Sequence, residues 1–497
     1  MLERFFEAPL DQVRPLQQQI QERLVEAILA GALTTYEPLP ATRILSQTLG
    51  VSRNTVTLVY ERMTEDGYLT AVNRRGYFVN ERYVREQLNV RIDDRSAALF
   101  PQAADPVGYE ARFRIHPSRQ SNIVKPANWR DFPFPFVYGQ VTPDQTSVSR
   151  WRDCVRQASS ARHAQAWMGD LIDVDDPMLI EQIIRRMLPK RGFRAKASEI
   201  LITIGAQNAV YMIANLFCGP GARVGMEEPG YVDARNIFLA HGAELVSQTV
   251  DTNGIQVTDN LKGCALVYVT PGHQSPTNVT LTMQRRLALL EAAERSDFLL
   301  VEDDYEHELN FVGPQHPALK SFDSSGRVIH IGSLSKPVFP GLRLGFVAAP
   351  EPIIRELRSL RRLMYRHPSA LDQRAMAIFL ADGHFDAHIR RQRDLLAAKW
   401  KTILREIEKK LPDCAVTMTT GGSAVWLRLP HGMDGELVRN EAALRGVLVE
   451  PGHVHFARQD RPTNYIRLGF AAIATDRIAA GIEALSQALT AVASRAA

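Results

Sequence analysis

Apolar positions change their period along the chain, and the changes divide it into three stretches. From residue 10 to 80 the spacing is helical. Leu16, Ile20, Leu24, Ala27 and Ile28 recur on one face behind Pro15, and Gly31 closes the run. A short helix is predicted over Thr42 to Leu49, ended by Gly50. A third starts behind Ser52, a good N-cap, with Val56, Val59, Tyr60 and Met63 as its stripe and Gly67 as its stop. Two short β-type runs follow, Tyr68–Ala71 and Gly76–Val79, joined by Val72, Asn73, Arg74 and Arg75. Residues 81–130 keep no period, and charges, prolines and alanines dominate them, which reads as a linker. From 131 to 497 short apolar runs alternate with amphipathic helical patterns. Ile200–Ile204 precedes Gln207–Phe217, Ala265–Thr270 precedes Thr282–Ala293, and Phe298–Glu302 and Arg327–Ile331 follow. That alternation predicts an α/β domain, a sheet covered by helices. After about residue 351 the helices lengthen and strands become sparse, which predicts a smaller α+β lobe.

Composition narrows the class. The 497 residues are 45% hydrophobic and 23% charged, which excludes a disordered or fibrous chain. No apolar run approaches the ~18 residues of a membrane helix. The start MLERFFEAPLDQ carries acids where a signal peptide needs a basic start, so a cytoplasmic protein with no membrane role is expected. Cys154, Cys218, Cys264 and Cys414 show no CxxC spacing, so neither a metal site nor a disulfide framework is expected. The net charge of +4 decides little. Residues 1–80 hold eight Lys/Arg against nine Asp/Glu, so nucleic-acid binding there must rest on where the arginines stand.

Three helices followed by a hairpin describe a winged helix-turn-helix. The N-terminal residues of its third helix would meet base edges in the major groove. Those residues are Ser52, Arg53, Asn54 and Thr55. Arginine can pair with guanine, asparagine with adenine, and threonine with a phosphate or a thymine methyl. Arg43 suits a phosphate contact, and Arg74 and Arg75 at the hairpin tip suit a minor groove. A module for protein contacts, with solvated arginines, is the competing reading. The residues Leu39-Pro40-Ala41-Thr42-Arg43, Leu49-Gly50-Val51-Ser52-Arg53-Asn54-Thr55-Val56 and Asp66-Gly67-Tyr68-Leu69 resemble the GntR-type DNA-binding domain. Family members often carry a glycine turn before Leu39, where this chain has Thr35-Tyr36-Glu37.

The larger stretch carries the run Gly332-Ser333-Leu334-Ser335-Lys336, then Pro340-Gly341-Leu342-Arg343-Leu344-Gly345. A lysine in such a loop can form a Schiff base with an aldehyde cofactor, and Ser333, Ser335 and Arg343 can bind a phosphate. The run resembles the cofactor loop of fold-type I pyridoxal phosphate (PLP) enzymes, the aspartate aminotransferase superfamily. Other segments agree in chain order. Gly205, Ala206 and Gln207 open a helix whose free N–H groups suit the cofactor phosphate. The resemblance implies that Tyr231 stacks on the pyridine ring and that Ser275 lies near the phenolic oxygen. Ser275 and Asn278 stand where relatives have the Asn and Gly of Asn-Pro-Thr-Gly. A carboxylate at the end of Val301-Glu302-Asp303-Asp304-Tyr305 can hold the pyridine nitrogen protonated. The motif assigns that to Asp303, with Tyr305 on the phenolic oxygen and Asp304 as the competitor. Arg467 stands where the family's arginine grips an effector or substrate carboxylate, and a structural ion pair is its other reading.

A GntR-type domain, residues 10–80, joined by a linker, 81–130, to an aminotransferase-like domain, 131–497, is the layout of the MocR family of transcriptional regulators (GabR-like). The resemblance implies an N-terminal winged helix-turn-helix plus a C-terminal PLP-dependent transferase fold (type I), with large and small subdomains. It implies PLP on Lys336, a domain-swapped, head-to-tail homodimer, a double-stranded DNA operator, and an amine or amino-acid effector sensed through aldimine exchange. An active aminotransferase with a fused DNA-binding domain is the alternative function. Family members often carry Tyr-Gly-Asp-Pro-x-Gly before a helix, where this chain has a longer, acidic loop with Asp170, Asp173, Asp175 and Asp176. If that loop lines the pocket it favours a cationic effector; otherwise it is a solvated loop. His163 and His273 are either acid–base groups or structural.

Overall fold

The structure is a computed structural model. It describes residues 14–83 and 108–496, apart from 138, 140–143, 171, 314 and 459, together with 6, 10 and 11. Residues 84–107, in the predicted linker, lie outside the described residues. The chain forms two compact units, Met1–Phe113 and Arg114–Ala497.

The smaller unit is built from α1 (Leu16–Leu29), α2 (Thr42–Leu49) and α3 (Arg53–Glu65), followed by the antiparallel pair β1 (Leu69–Val72) and β2 (Gly76–Val79). Ile20, Leu24, Val56, Tyr60 and Met63 pack as one buried core. Each such side chain contributes about 1.5–3 kcal/mol by leaving water. The first strand starts one residue later than its apolar run. The Tyr68 N–H donates to Met63 O, closing α3, so the ladder begins at Leu69.

The larger unit centres on a sheet of eight strands: β3 (Ile200–Thr203), β4 (Arg223–Glu228), β5 (Glu244–Asp251), β6 (Gly254–Ile255), β7 (Leu266–Val269), β8 (Leu299–Asp304), β9 (Val328–Ser333) and β10 (Gly345–Ala348). Their spatial order is β3-β10-β9-β8-β7-β4-β5-β6. β10 runs antiparallel between β3 and β9, β6 runs antiparallel to β5, and the other neighbours pair in parallel. Parallel strands covered on both faces are apolar throughout. Successive residues of β3 serve opposite faces. Ile200 and Ile202 join one core, with α4 (Gln145–Ala158), α5 (Pro177–Gln182) and Phe346. Leu201 joins the other, with α6 (Gly205–Phe217). Two further helices, α7 (Val232–Ala240) and α8 (Met283–Ser296), complete the crossovers.

Beyond β10, α9 (Glu351–Tyr365) and α10 (Ala370–Ala381) still pack on the main sheet through Ile354, Leu357 and Phe379. The lobe with its own sheet begins with α11 (His384–Lys410). It holds β11 (Ala415–Val416), β12 (Ala424–Arg428), β13 (Glu450–Pro451) and β14 (Tyr465–Gly469), in the order β11-β12-β14-β13 and all antiparallel, with α12 (Gly435–Ala443) and α13 (Ile478–Ala496). Part of the predicted linker also belongs to this unit. The Gln120 amide donates to Asn236 O of α7 at 3.1 Å, and Asn236 Nδ2 donates to Ser121 O at 2.9 Å. All four cysteines are free thiols, and no described helix is long and apolar enough to cross a membrane.

Candidate functional site

The C-terminal ends of β3, β4, β7, β8 and β9 share one edge of the sheet, where open α/β folds collect their ligands. A cavity of about 200 Å³ lies there. Gly205, Ala206 and Gln207 line it from the first turn of α6, and Tyr231 from the turn after β4. Ser275 lines it from the loop after β7, and Asp303 and Tyr305 from the end of β8. Ser333, Ser335, Lys336 and Arg343 complete the wall from the loop after β9. Every residue that the sequence singled out for the cofactor thus meets at one cavity.

One end of the cavity is built for an anion. Gly205 opens α6 at φ +77°, and a Cβ there would lie 2.8 Å from Arg343 Nη2. A Cβ on Gly345 would lie 2.9 Å from the Gly205 carbonyl carbon. Only glycine at both places lets the guanidinium and the helix start converge. Free helix N–H groups beside a guanidinium form a phosphate site. The two serines are partly engaged. Ser335 Oγ donates to Leu344 O at 3.0 Å, and Ser333 Oγ accepts from Lys336 N at 3.1 Å, so both brace the loop that carries the lysine.

The two adjacent aspartates separate cleanly. Asp304 Oδ2 accepts from buried Arg191 at 2.8 Å. Burial pushes its carboxyl up, but His307 and Arg191 outweigh that and hold it down at about 2. Asp303 Oδ2 accepts from the Tyr268 hydroxyl at 2.6 Å, and Asp303 Oδ1 has no hydrogen-bond partner among the described residues. Burial raises Asp303 to about 6, opposed by Tyr268 and Lys336. A buried oxygen of this kind on a cavity wall waits for an N–H donor.

Two neighbours were not singled out by the sequence. Tyr268 positions Asp303, and Glu306 faces the lysine. Lys336 Nζ lies 3.4 Å from Glu306 Oε1 and 3.9 Å from the Tyr305 ring centre. Ser423 donates to the same Glu306 oxygen at 2.6 Å. The signal for Glu306 was its place three residues after Asp303; its direction is set only by the fold. Tyr305 donates to His273 O at 2.7 Å, and Tyr231 to Asp233 at 2.9 Å. Asn278 sits at φ +59°, the conformation of the glycine it replaces, and its Nδ2 donates to Ala424 O of β12.

Arg467 is not on the cavity wall. It is fully buried on β14, with Nη1 4.0 Å from Glu450 Oε2 of the neighbouring strand. The acidic loop also stays away from the cavity. Asp175 pairs with Arg361 at 2.5 Å and Arg358 at 2.9 Å, both on α9. Asp176 caps α5 and accepts from Arg374 at 2.7 Å, and Asp170 pairs with Arg366 and His367. Asp173 lies 3.7 Å from Arg362. The loop is therefore tied by ion pairs to α9, to α10 and to the turn between them. Of the histidines, His163 lies 3.5 Å from Arg374. His273 is buried, which pushes its ring pKa down.

In the smaller unit, Arg43, Arg53, Asn54, Arg74 and Arg75 are exposed. Ser52 Oγ accepts from Thr55 N at 3.1 Å and meets Thr55 Oγ1 at 2.8 Å, so these two hydroxyls fix the start of α3. Arg53 Nε reaches Thr42 Oγ1 at 3.4 Å, which links α3 to α2. Arg74 turns the hairpin at φ +59°, and Arg75 lies over the Phe78 ring.

Known proteins match the chain in two stretches. The family described as bacterial regulatory proteins, gntR family, matches residues 16–79. The family described as aminotransferase class I and II matches residues 145–485. The HTH-type transcriptional regulator TauR of Rhodobacter capsulatus is 39% identical, over 98% of this chain and 99% of its own. The probable rhizopine catabolism regulatory protein MocR of Rhizobium meliloti is 29% identical, over 97% and 95%. Among solved structures, kynurenine aminotransferase of Pyrococcus horikoshii in complex with PMP has a TM-score of 0.69 at 25% identity, covering 77% of this chain and 98% of that one. With both halves matched in order and regulators aligned end to end, the chain belongs to the MocR-type (GabR-like) family of HTH-type transcriptional regulators, which join a GntR-type winged helix to an aminotransferase-like domain.

Proposed function

We propose that this regulator binds a double-stranded DNA operator through α3 and the β1–β2 wing, holds pyridoxal phosphate on Lys336, and changes its DNA binding when an amine or amino acid enters the cavity. The observation that carries the cofactor reading is the Asp303 Oδ1 atom, buried on the cavity wall without a partner among the described residues. A protonated pyridine nitrogen is the donor it lacks. The Gly205–Arg343 cradle fits the phosphate, and the Tyr231 ring fits a flat aromatic partner. When bound, the cofactor's aldehyde supplies a reversible covalent bond to a primary amine. Lys336 would provide that amine at rest. Tyr268 holds Asp303 in place, and Glu306 keeps a negative charge beside the lysine. Arg467 would anchor a carboxylate by turning from Glu450. Homodimerisation in the family's head-to-tail manner, in the cytoplasm, belongs to the same reading.

The test is a visible absorption titration of the purified full chain with amines and amino acids, run beside fluorescence anisotropy on promoter DNA. One or a few ligands should shift the band and the operator affinity together. Steady conversion to the pyridoxamine form, reversed by a keto acid, would instead mark a working aminotransferase.

A further inference from the structure

Away from the cavity, three chemically distinct donors converge at the meeting of α4 with the turn between α10 and α11. Cys154 comes from α4, Asp382 from the C-cap of α10 and His384 from the first turn of α11. The Cys154 sulfur, an Asp382 oxygen and a His384 ring nitrogen all lie within 4.8 Å of one another.

The backbone explains the convergence. Gly383, at φ +74°, ends α10 and starts α11 without a linker, so Asp382 and His384 flank one tight turn. That turn sits over Cys154, which is fully buried and free. Among the described residues no hydrogen bond or ion pair engages the Asp382 carboxylate or the His384 ring. Their neighbours are occupied elsewhere. Asp386 pairs with Lys190 at 2.5 Å, and Arg186 donates to Ala381 O at 2.9 Å. The His384 ring lies tilted against Phe379, 5.8 Å between centres. The sulfur is fully buried, and the partly exposed histidine and exposed aspartate form the lip of the cluster.

We propose that Cys154, Asp382 and His384 form a binding site for a zinc-class divalent transition-metal ion. Thiolate, imidazole and carboxylate are the ligand types of such ions, and magnesium or calcium would not choose a thiolate. Three protein ligands leave a fourth position for water. Tetrahedral bonds of about 2.0–2.3 Å place ligand atoms about 3.3–3.7 Å apart. Closing from within 4.8 Å needs a movement of about 1 Å, within reach of side-chain rotation on a surface turn. Binding must remove the Cys154 proton, because only the thiolate ligates. The metal takes the sulfur's electron pair, the S–H bond breaks, and one proton leaves to solvent for each ion bound. Because that proton competes with the metal, affinity should rise with pH. Sequence spacing could not show this site, because its cysteine and its Asp-Gly-His turn come from elements remote in the chain.

The experiment is a cobalt(II) titration of the full chain, read between about 600 and 750 nm, where tetrahedral cobalt with a thiolate absorbs and the cofactor does not. Saturable bands at one ion per chain, released by zinc, are expected. Cys154→Ala and His384→Gln should each lose the bands while far-UV circular dichroism and the melting temperature stay at the wild-type values. Should Cys154→Ala melt early, Asp382→Asn with His384→Gln at the exposed lip serves instead, with the same loss expected. Absence of bands in the wild type, or bands that survive these substitutions, would overturn the assignment.

Discussion

Two side chains carry the proposed chemistry of the cavity, and each has a separable readout. Lys336→Ala should remove covalent attachment of pyridoxal phosphate. Borohydride reduction followed by peptide mass mapping checks this; label on another lysine would refute the assignment. Asp303 makes a prediction about pH. Burial raises its carboxyl to about 6, above its ordinary value of 3.8. Between those values the folded chain keeps a proton that the unfolded chain has lost. Stability of the cofactor-free protein should therefore fall as pH rises from 4 to 6, by on the order of 2 kcal/mol from this group. Asp303→Asn should flatten that part of the urea-midpoint profile. An identical slope in both proteins would show that Asp303 titrates normally.

The elements obey simpler rules than the pairs that join them. The strands and helices around the cavity follow from apolar period, and the turns that hold Gly205, Asp303 and Lys336 follow from motif, so most of the cavity was legible in the sequence. What was hidden is direction and partnership. Asp304 turns to Arg191, and Glu306 to Lys336, because the chain reverses after β8, and no period encodes that. Arg467 reads as a ligand anchor in its motif but lies fully buried beside Glu450, a strand neighbour. The acidic loop reads as a solvated or pocket-lining segment, yet Asp175 is buried against Arg361 on α9, distant in sequence. Asp175→Ala would leave the wholly buried Arg361 without its carboxylate, which costs about 3–5 kcal/mol. Chemical denaturation checks it; a loss below about 1 kcal/mol would mean that Arg361 finds another partner. On the DNA side, Arg53→Ala should weaken operator binding by about 1–3 kcal/mol and relax preference at one base pair. A uniform loss at every sequence would make Arg53 a phosphate contact.

At the scale of the whole molecule, regulation requires that the effector prefer one conformation of the chain to another. The shift in operator affinity cannot exceed that preference, and the operator must shift effector affinity by the same factor. Measuring the effector titration with and without saturating operator DNA tests this reciprocity. Equal midpoints would mean that cavity occupancy and DNA binding are uncoupled.

The place of β10 has a consequence for how the protein is made. Among the described residues β3, which leads into the glycine turn that opens α6, pairs with β10 alone. During synthesis β3 must wait unpaired until residues 345–348 leave the ribosome. The smaller unit closes its core by Val79. Domains fold as units, the N-terminal one first. A growing or prematurely ended chain would thus present a finished DNA reader long before its sensor exists. Messages truncated anywhere between the linker and β10 would yield DNA binders deaf to the effector, able to occupy the operator against the intact protein.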